Sequence, residues 1–289
     1  VAGLLLLTGF GCNKQGAKLP HKDPTGKKID FQMNLKPGQV YDVNMDIDMK
    51  MKAGKDNAKM EMGMQMLMEV ESVDASGVAA VRMTFEHIRM KMTGGPGNMD
   101  YDSKRDGVNH PVGQNLRGFL GKGMTLKIDR KGKAAGFGNI DPAFRDVAGN
   151  MQDLGSCFPD HAVDNGDTWT NSQDVDSGQV KMKLKNTYKL LEHGDGTSRI
   201  GVSSDVSPAG QGEISGEQHG VIEVDEATGF PMKMEMIQDL EGKVQGTKLT
   251  IDTNMKWNAT VSQKKVDAAP VQPRRGPATQ RIPLPLSPG

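Results

Sequence analysis

Apolar and polar residues alternate one for one along much of this chain. From position 42 to 52 the odd residues are Val43, Met45, Ile47, Met49 and Met51, and the even ones are Asp42, Asn44, Asp46, Asp48, Lys50 and Lys52. Side chains of a strand point to opposite faces in turn, so this spacing predicts a strand with one apolar and one polar face. A helix would mix the two sets. The stretch AGKDNA at 53–58 predicts a turn. Beyond it Met60, Met62, Met64, Met66, Met68 and Val70 line one face of a second strand, with Glu61, Gln65, Glu69 and Glu71 on the other. The two strands predict a long hairpin. Asp74-Ala75-Ser76-Gly77 turns the chain again. In the third strand Val81, Met83 and Phe85 share one parity, and Ile88, Met90 and Met92 the other. The shift predicts a β-bulge near Glu86 and His87.

The pattern resumes after a loop at 93–98. Residues 124–129 and 133–137 flank Arg130-Lys131-Gly132 as a second hairpin. Asp141-Pro142 has the form of a helix start, with Asp as N-cap and Pro at the first helical position, and predicts a short helix to about Leu154. Val180, Met182 and Leu184 alternate with Lys181, Lys183 and Lys185. Gly194-Asp195-Gly196 is a turn, and strands at 222–225 and 232–236 flank another. Leu249, Ile251, Thr253, Met255, Trp257, Ala259 and Val261 form one face of a long last strand. Six prolines from Pro270 to Pro288 keep the tail out of any sheet and predict disorder.

Three markers recur in the same order. Gly38-Gln39-Val40-Tyr41 matches Gly166-Asp167-Thr168-Trp169, the turn at 73–77 matches 191–196, and LKIDRKG at 126–132 matches IEVDEATG at 222–229. The expected fold is therefore mainly β: long curved antiparallel hairpins in two similar units, of unclosed-barrel or half-barrel type, with one or two short helices. The predicted organisation is a signal-peptide remnant at 1–11, a lipidated Cys12 with a tether over 12–35, a first β unit at 36–140, a helical connector at 141–159, a second β unit at 160–262 and a disordered tail at 263–289.

The amino terminus supports the first two of these assignments. Residues 1–11 read VAGLLLLTGFG, an apolar run closing on small residues immediately before Cys12. This resembles a lipobox, which implies a diacylated Cys12, and it departs from the usual pattern at Gly9 and Phe10. Two acyl chains anchor stably where one is marginal. Asn13 in place of an Asp retention signal implies the outer membrane. The following stretch carries five lysines, Pro20 and Pro24, as a tether does.

Composition narrows the function classes. Lys plus Arg and Asp plus Glu each number 36, so the chain has no basic excess for nucleic acid. Aromatic residues make up only 4% while Met occurs 20 times, so Met is the expected core filler. Cys12 and Cys157 are the two cysteines; if Cys12 is acylated, Cys157 is left single and is expected to be buried and inert.

Candidate chemistry starts with the methionine ladder. Thioethers at two-residue spacing suit Cu(I) or Ag(I), a packed core, or the lining of an apolar cavity. The residues expected to line such a cavity are Met45, Met49, Met62, Met64, Met66, Met83, Met234, Met255 and Trp257. Asp102 to Gly107 outlines a calcium loop, but Lys104 stands at a ligand position and Gly113 where a bidentate Glu is required. The six histidines share no metal-ligand spacing. No nucleophile elbow, zinc motif, redox dithiol or phosphate loop occurs. The expectation is a non-enzyme with no catalytic residues, no metal and no cofactor.

The lipobox-like start, the glycine-to-aromatic strand openings, the Leu-x-Ile-Asp hairpin and the Phe158-Pro159 to Trp169 segment together resemble a family of uncharacterised bacterial lipoproteins, abundant in planctomycete-type genomes, that carries a domain of unknown function. The likeness runs from about Lys36 to Val261, and its motifs are structural. More distantly the hairpins are similar to those of lipoprotein carriers and mycobacterial lipid-binding lipoproteins, which implies an unclosed barrel around an apolar cavity. The expected protein is a monomeric envelope lipoprotein, held to the outer membrane by its acyl anchor and binding a lipid or acyl group. An envelope scaffold with a solid Met core, binding protein or glycan, is the alternative. A Cu(I)- or Ag(I)-binding protein is the third.

Overall fold

The computed structural model describes residues 19–95, 97–118, 120–137, 157–176, 181–209, 213–244 and 246–263. Cys12, the apolar leader, the helix expected from Asp141 and the proline-rich tail lie outside these residues.

Among the described residues twelve antiparallel strands form one sheet. They are β1 (Gln39–Ala53), β2 (Asp56–Val73), β3 (Ala79–Gly94), β4 (Met99–Asp102), β5 (Gly123–Ile128), β6 (Ala134–Phe137), β7 (Thr168–Asp176), β8 (Lys181–Glu192), β9 (Thr197–Pro208), β10 (Ser215–Asp225), β11 (Pro231–Val244) and β12 (Thr247–Gln263). Their spatial order is β6-β5-β3-β2-β1-β12-β11-β10-β9-β8-β7, with β4 paired to β3 off the main path. The sheet is not closed into a barrel; its edges are β6 and β7. The two β units thus share a single sheet, joined at its centre by β1 and β12. That seam is long and in register from Gln39 opposite Gln263 to Ala53 opposite Leu249.

The bulge expected in β3 is present. Gln65 pairs with His87 and Met66 with Phe85, leaving Glu86 as the extra residue. It carries the apolar parity from odd to even positions, so both ends of β3 face the same core. A helix the alternation pattern gave no sign of, α1 (Pro111–Leu116), follows a 3-10 turn at Gly107–Asn109. His110 caps α1 by accepting from the Val112 amide, and Pro111 sits at its first turn.

The inner face is the one that carries the methionine ladder. Its side chains join one cluster reaching from Leu126 and Ile128 of β5 to Trp169 of β7. That single cluster takes in residues from strands near both ends of the order. A smaller second cluster holds Met182, Leu184, Val206, Ile214, Leu240 and Ile251.

One expectation is corrected. The tether expected over residues 12–35 gives way before its end to core: Phe31, Met33 and Leu35 are buried in the main cluster. Their alternation with Asp30, Gln32 and Asn34 continues the same period of two in an extended segment. Ile29 and Val163 exchange backbone hydrogen bonds, the Met33 amide donates to Arg130 O and the Asn34 amide to Thr228 O. Lys131 staples the segment through Asp30 Oδ1 at 2.9 Å and the carbonyls of Phe31 and Pro159. The close approach requires a glycine: a Cβ on Gly229 would stand 2.2 Å from Gln32 O, and the residue has φ +71°. Residues 19–35 are thus a strap across the end of the sheet where both β1 begins and β12 ends.

Candidate ligand-binding face

Strand registers arrange the inner face in transverse rows. The first runs Leu190, Ile200, Ile222, Met234, Trp257, Met45, Met64 and Ile88 across eight strands. The next toward the hairpin tips runs Tyr188, Val202, Gly220, Met236, Met255, Ile47, Met62, Met90 and Tyr101. The third changes character halfway. It reads Asn171, Asn186, Ser204, Gln218, Gln238 and Thr253 in the second unit, then Met49, Met60, Met92 and Met99 in the first.

The structure therefore brings the nine expected cavity residues onto one face. Met234, Trp257, Met45 and Met64 are direct neighbours in the first row, and Met255 and Met62 flank Ile47 in the second. Met66 and Met83 lie nearer the strap, opposite Phe85 and Met68. Met62, Met66, Met83 and Trp257 retain 4% or less of their surface, so they are packed as core. Met45 and Met255 are also buried, whereas Met49, Met64 and Met234 are half-buried. Met51, Met90, Met92 and Met99 are half-buried as well, so exposure rises toward the tips along β1 and β3, but not along β2, where Met60 and Met62 are buried, or β11, where Met236 is. A ligand on this face meets accessible thioethers at the tip end of β1 and β3 and at Met64 and Met234 in the first row.

The polar half of the third row was not visible in the sequence as a unit. Asn186 donates to Asn171 Oδ1 at 2.6 Å and accepts from the Ser204 hydroxyl at 2.5 Å; Gln238 donates to Gln218 Oε1 at 3.4 Å. Asn186 and Ser204 are fully buried, and Gln218 and Gln238 nearly so. Buried amides in such a row hold neighbouring strands in one register, because a slip leaves them without partners.

Other candidate groups have structural partners. The Asp164 carboxylate takes hydrogen bonds from the amides of Thr25, Gly26 and Asn165 and the Thr25 hydroxyl, and it contacts His193 Nε2 at 3.1 Å. The donated amides, first that of Thr25, hold its pKa well below the usual carboxylate range. This node pins the strap to the sheet. His87 pairs with Asp102 at 2.9 Å. Asp102 and Asp106 are occupied by backbone amides and Arg105, as in an ordinary turn. Among the described residues no group of three or more His, Cys, Asp or Glu is placed to hold a metal ion. The Cys157 thiol is buried, and desolvation pushes its pKa up to about 12, the direction expected of an inert thiol. No helix among the described residues is long and apolar enough to cross a membrane.

Comparison with known proteins adds a family and a fold. The family of unknown function DUF6263 matches the chain over residues 76–156 and 146–258. No curated protein matches it in sequence. Among solved structures, one of lipovitellin, described as showing lipid–protein interactions, superposes with a TM-score of 0.51 at 10% identity and covers 81% of this chain. The chain spans only 26% of that lipovitellin chain. An outer membrane channel from Pseudomonas putida F1 covers 79% of the chain at 8% identity, with a TM-score of 0.28, too low to show a shared fold.

Proposed function

The chain belongs to the DUF6263 family, and from that premise we propose that it is a lipid-binding protein of the bacterial cell envelope that works by binding rather than catalysis. In this reading Cys12 is acylated and holds a monomeric body at the outer membrane, facing the periplasm or the cell surface. The inner face takes an acyl chain over its half-buried thioethers. The observation that carries the reading is a set of half-buried thioethers on the inner face of a sheet that does not close. Met49, Met51, Met64, Met90, Met92 and Met234 are accessible there, and their unbranched side chains adapt to an irregular apolar ligand. The fold shared with lipovitellin agrees with it. The test is native mass spectrometry of protein purified from a periplasm without detergent, followed by organic extraction. A stoichiometric lipid supports the reading. A clean unliganded mass, with no uptake of a fluorescent fatty acid, refutes it.

A second reading, an envelope scaffold with a filled core, is favoured by the complete burial of Met62, Met66 and Met83. Its mark is the refuting result above, together with capture of protein or glycan by the polar outer face.

A further inference from the structure

The opposite face of the same hairpin tip carries a different chemistry. Along the outer face β1 presents Asp42, Asn44, Asp46 and Asp48, and then Lys50 and Lys52. Register places Lys50 opposite Lys59 of β2, and Asp48 opposite Glu61. Like charges directly opposite one another destabilise a strand pair. Exchanging Lys59 and Glu61 would give two attractive pairs between β1 and β2; on its other side Lys50 stands opposite Asp252 of β12, so the tip sets three lysines against that one carboxylate in the groove. Lys59 relieves itself by leaning on Glu61 along its own strand. Lys50 and Lys52 make no ion pair among the described residues.

These three lysines line an open groove of about 570 Å3 spanning β12, β1, β2 and β3. Asn57, Thr93 and Thr250 add neutral donors, and Asp252 is the single carboxylate in the lining. The groove therefore offers more donors than the two oxygens of a carboxylate accept. A phosphate, with its larger charge and oxygen count, matches them better, and ammonium groups bind phosphate as point charges.

We infer that this groove is a binding site for a phosphate group, held by Lys50, Lys52 and Lys59. Met51 and Ala58 also line the groove, at the rim of the sheet, but the phosphate contacts are the outer-face lysines, so the site stands whether or not the inner surface takes an acyl chain. The phosphate comes from a lipid headgroup or from a soluble phosphate ester, and experiment separates the two.

The test uses the full chain carrying Cys12→Ser, so that no acyl group contributes to membrane binding. Flotation with phosphatidylcholine vesicles, with and without phosphatidylglycerol, reads the headgroup; 31P NMR titration with inorganic phosphate and glycerol 1-phosphate reads the soluble ligand. The variant is Lys50→Gln/Lys52→Gln/Lys59→Gln. Its charge-matched control is Lys36→Gln/Lys127→Gln/Lys133→Gln, at exposed positions toward the strap end. Each lysine near an anionic surface contributes roughly fivefold to partitioning, so losing three lowers it about a hundredfold. The control variant stays within about threefold, because charges farther than a Debye length are screened. Loss of vesicle binding alone assigns the site to a headgroup, and loss of soluble-phosphate binding alone assigns it to a free ester. The inference is overturned if wild type binds neither probe, or if the two variants behave alike.

Discussion

The buried amide row gives the sharpest test of how the sheet is held in register. Asn186 is fully buried and bridges Ser204 of β9 to Asn171 of β7. Asn186→Ala removes the acceptor of a hydroxyl that is itself inaccessible to water. Leaving such a group unsatisfied costs about 1–3 kcal/mol, and loss of the amide's packing adds roughly 1 kcal/mol. Asn171 is half-buried, so water replaces the contact it loses there. The expected total is about 3 kcal/mol, read as a shift of the urea midpoint at unchanged slope. Ser204→Ala alone leaves the Asn186 oxygen short of a donor, and the double variant is left with neither group stranded. A double-mutant cycle is therefore expected to show a coupling of about 1–2 kcal/mol. A single-variant cost below about 1 kcal/mol, with additivity in the cycle, would refute the view that these residues form one network.

Two further outcomes follow from the strap. Phe31 is buried and stacks on Phe158 with ring centroids 5.3 Å apart, so Phe31→Ala is expected to cost about 3–5 kcal/mol in chemical denaturation; a cost under about 1 kcal/mol would mean the strap is not part of the core. Asp164 has a depressed pKa, so its contribution is fully present above the unfolded carboxylate value and is lost only as pH falls through the lower folded value. Hydrogen exchange at the Thr25 and Gly26 amides is expected to stay slow through mild acid in wild type, relative to Asp164→Asn. Release of wild type in the ordinary carboxylate range would contradict the geometry.

What the sequence showed depended on how each strand meets solvent. β1, β2, β11 and β12 were legible because one of their faces is solvated, which produces clean alternation. β9 was not. Ile200, Gly201, Val202, Ser203 and Ser204 are all buried, so both faces are covered, and small or polar Gly201, Ser203 and Ser204 blur the alternation of Ile200, Val202 and Val206. The strap was missed for another reason. Ile29, Phe31, Met33 and Leu35 alternate as plainly as β1 does, but the preceding lysines and prolines outweighed the pattern. α1 gave only a His110-Pro111 start and no apolar stripe, since Gly113 is its single buried residue. The nine inner-face candidates were readable as a set because parity alone puts them on one face. Which of them remain accessible depends on how elements far apart in sequence pack over that face. The lysine groove likewise needed register, since Lys50 and Lys59 become neighbours only once β1 and β2 are paired.

The central seam also fixes an order of events. β1 and β12 are separated by most of the chain, so β1 emerges from the ribosome with one edge lacking its partner. That edge waits while roughly 200 more residues are made, on the order of ten seconds or more at the usual rate of synthesis. Loop-closure entropy makes such a pairing slow, and hairpins joined by short turns form first. Each half can zip from its own turns, outward from β1–β2 and inward toward β12. The exposed β1 edge meanwhile carries a charge or amide at every second position, which discourages pairing with another chain. The last strand made is the one that turns two half-sheets into a single body.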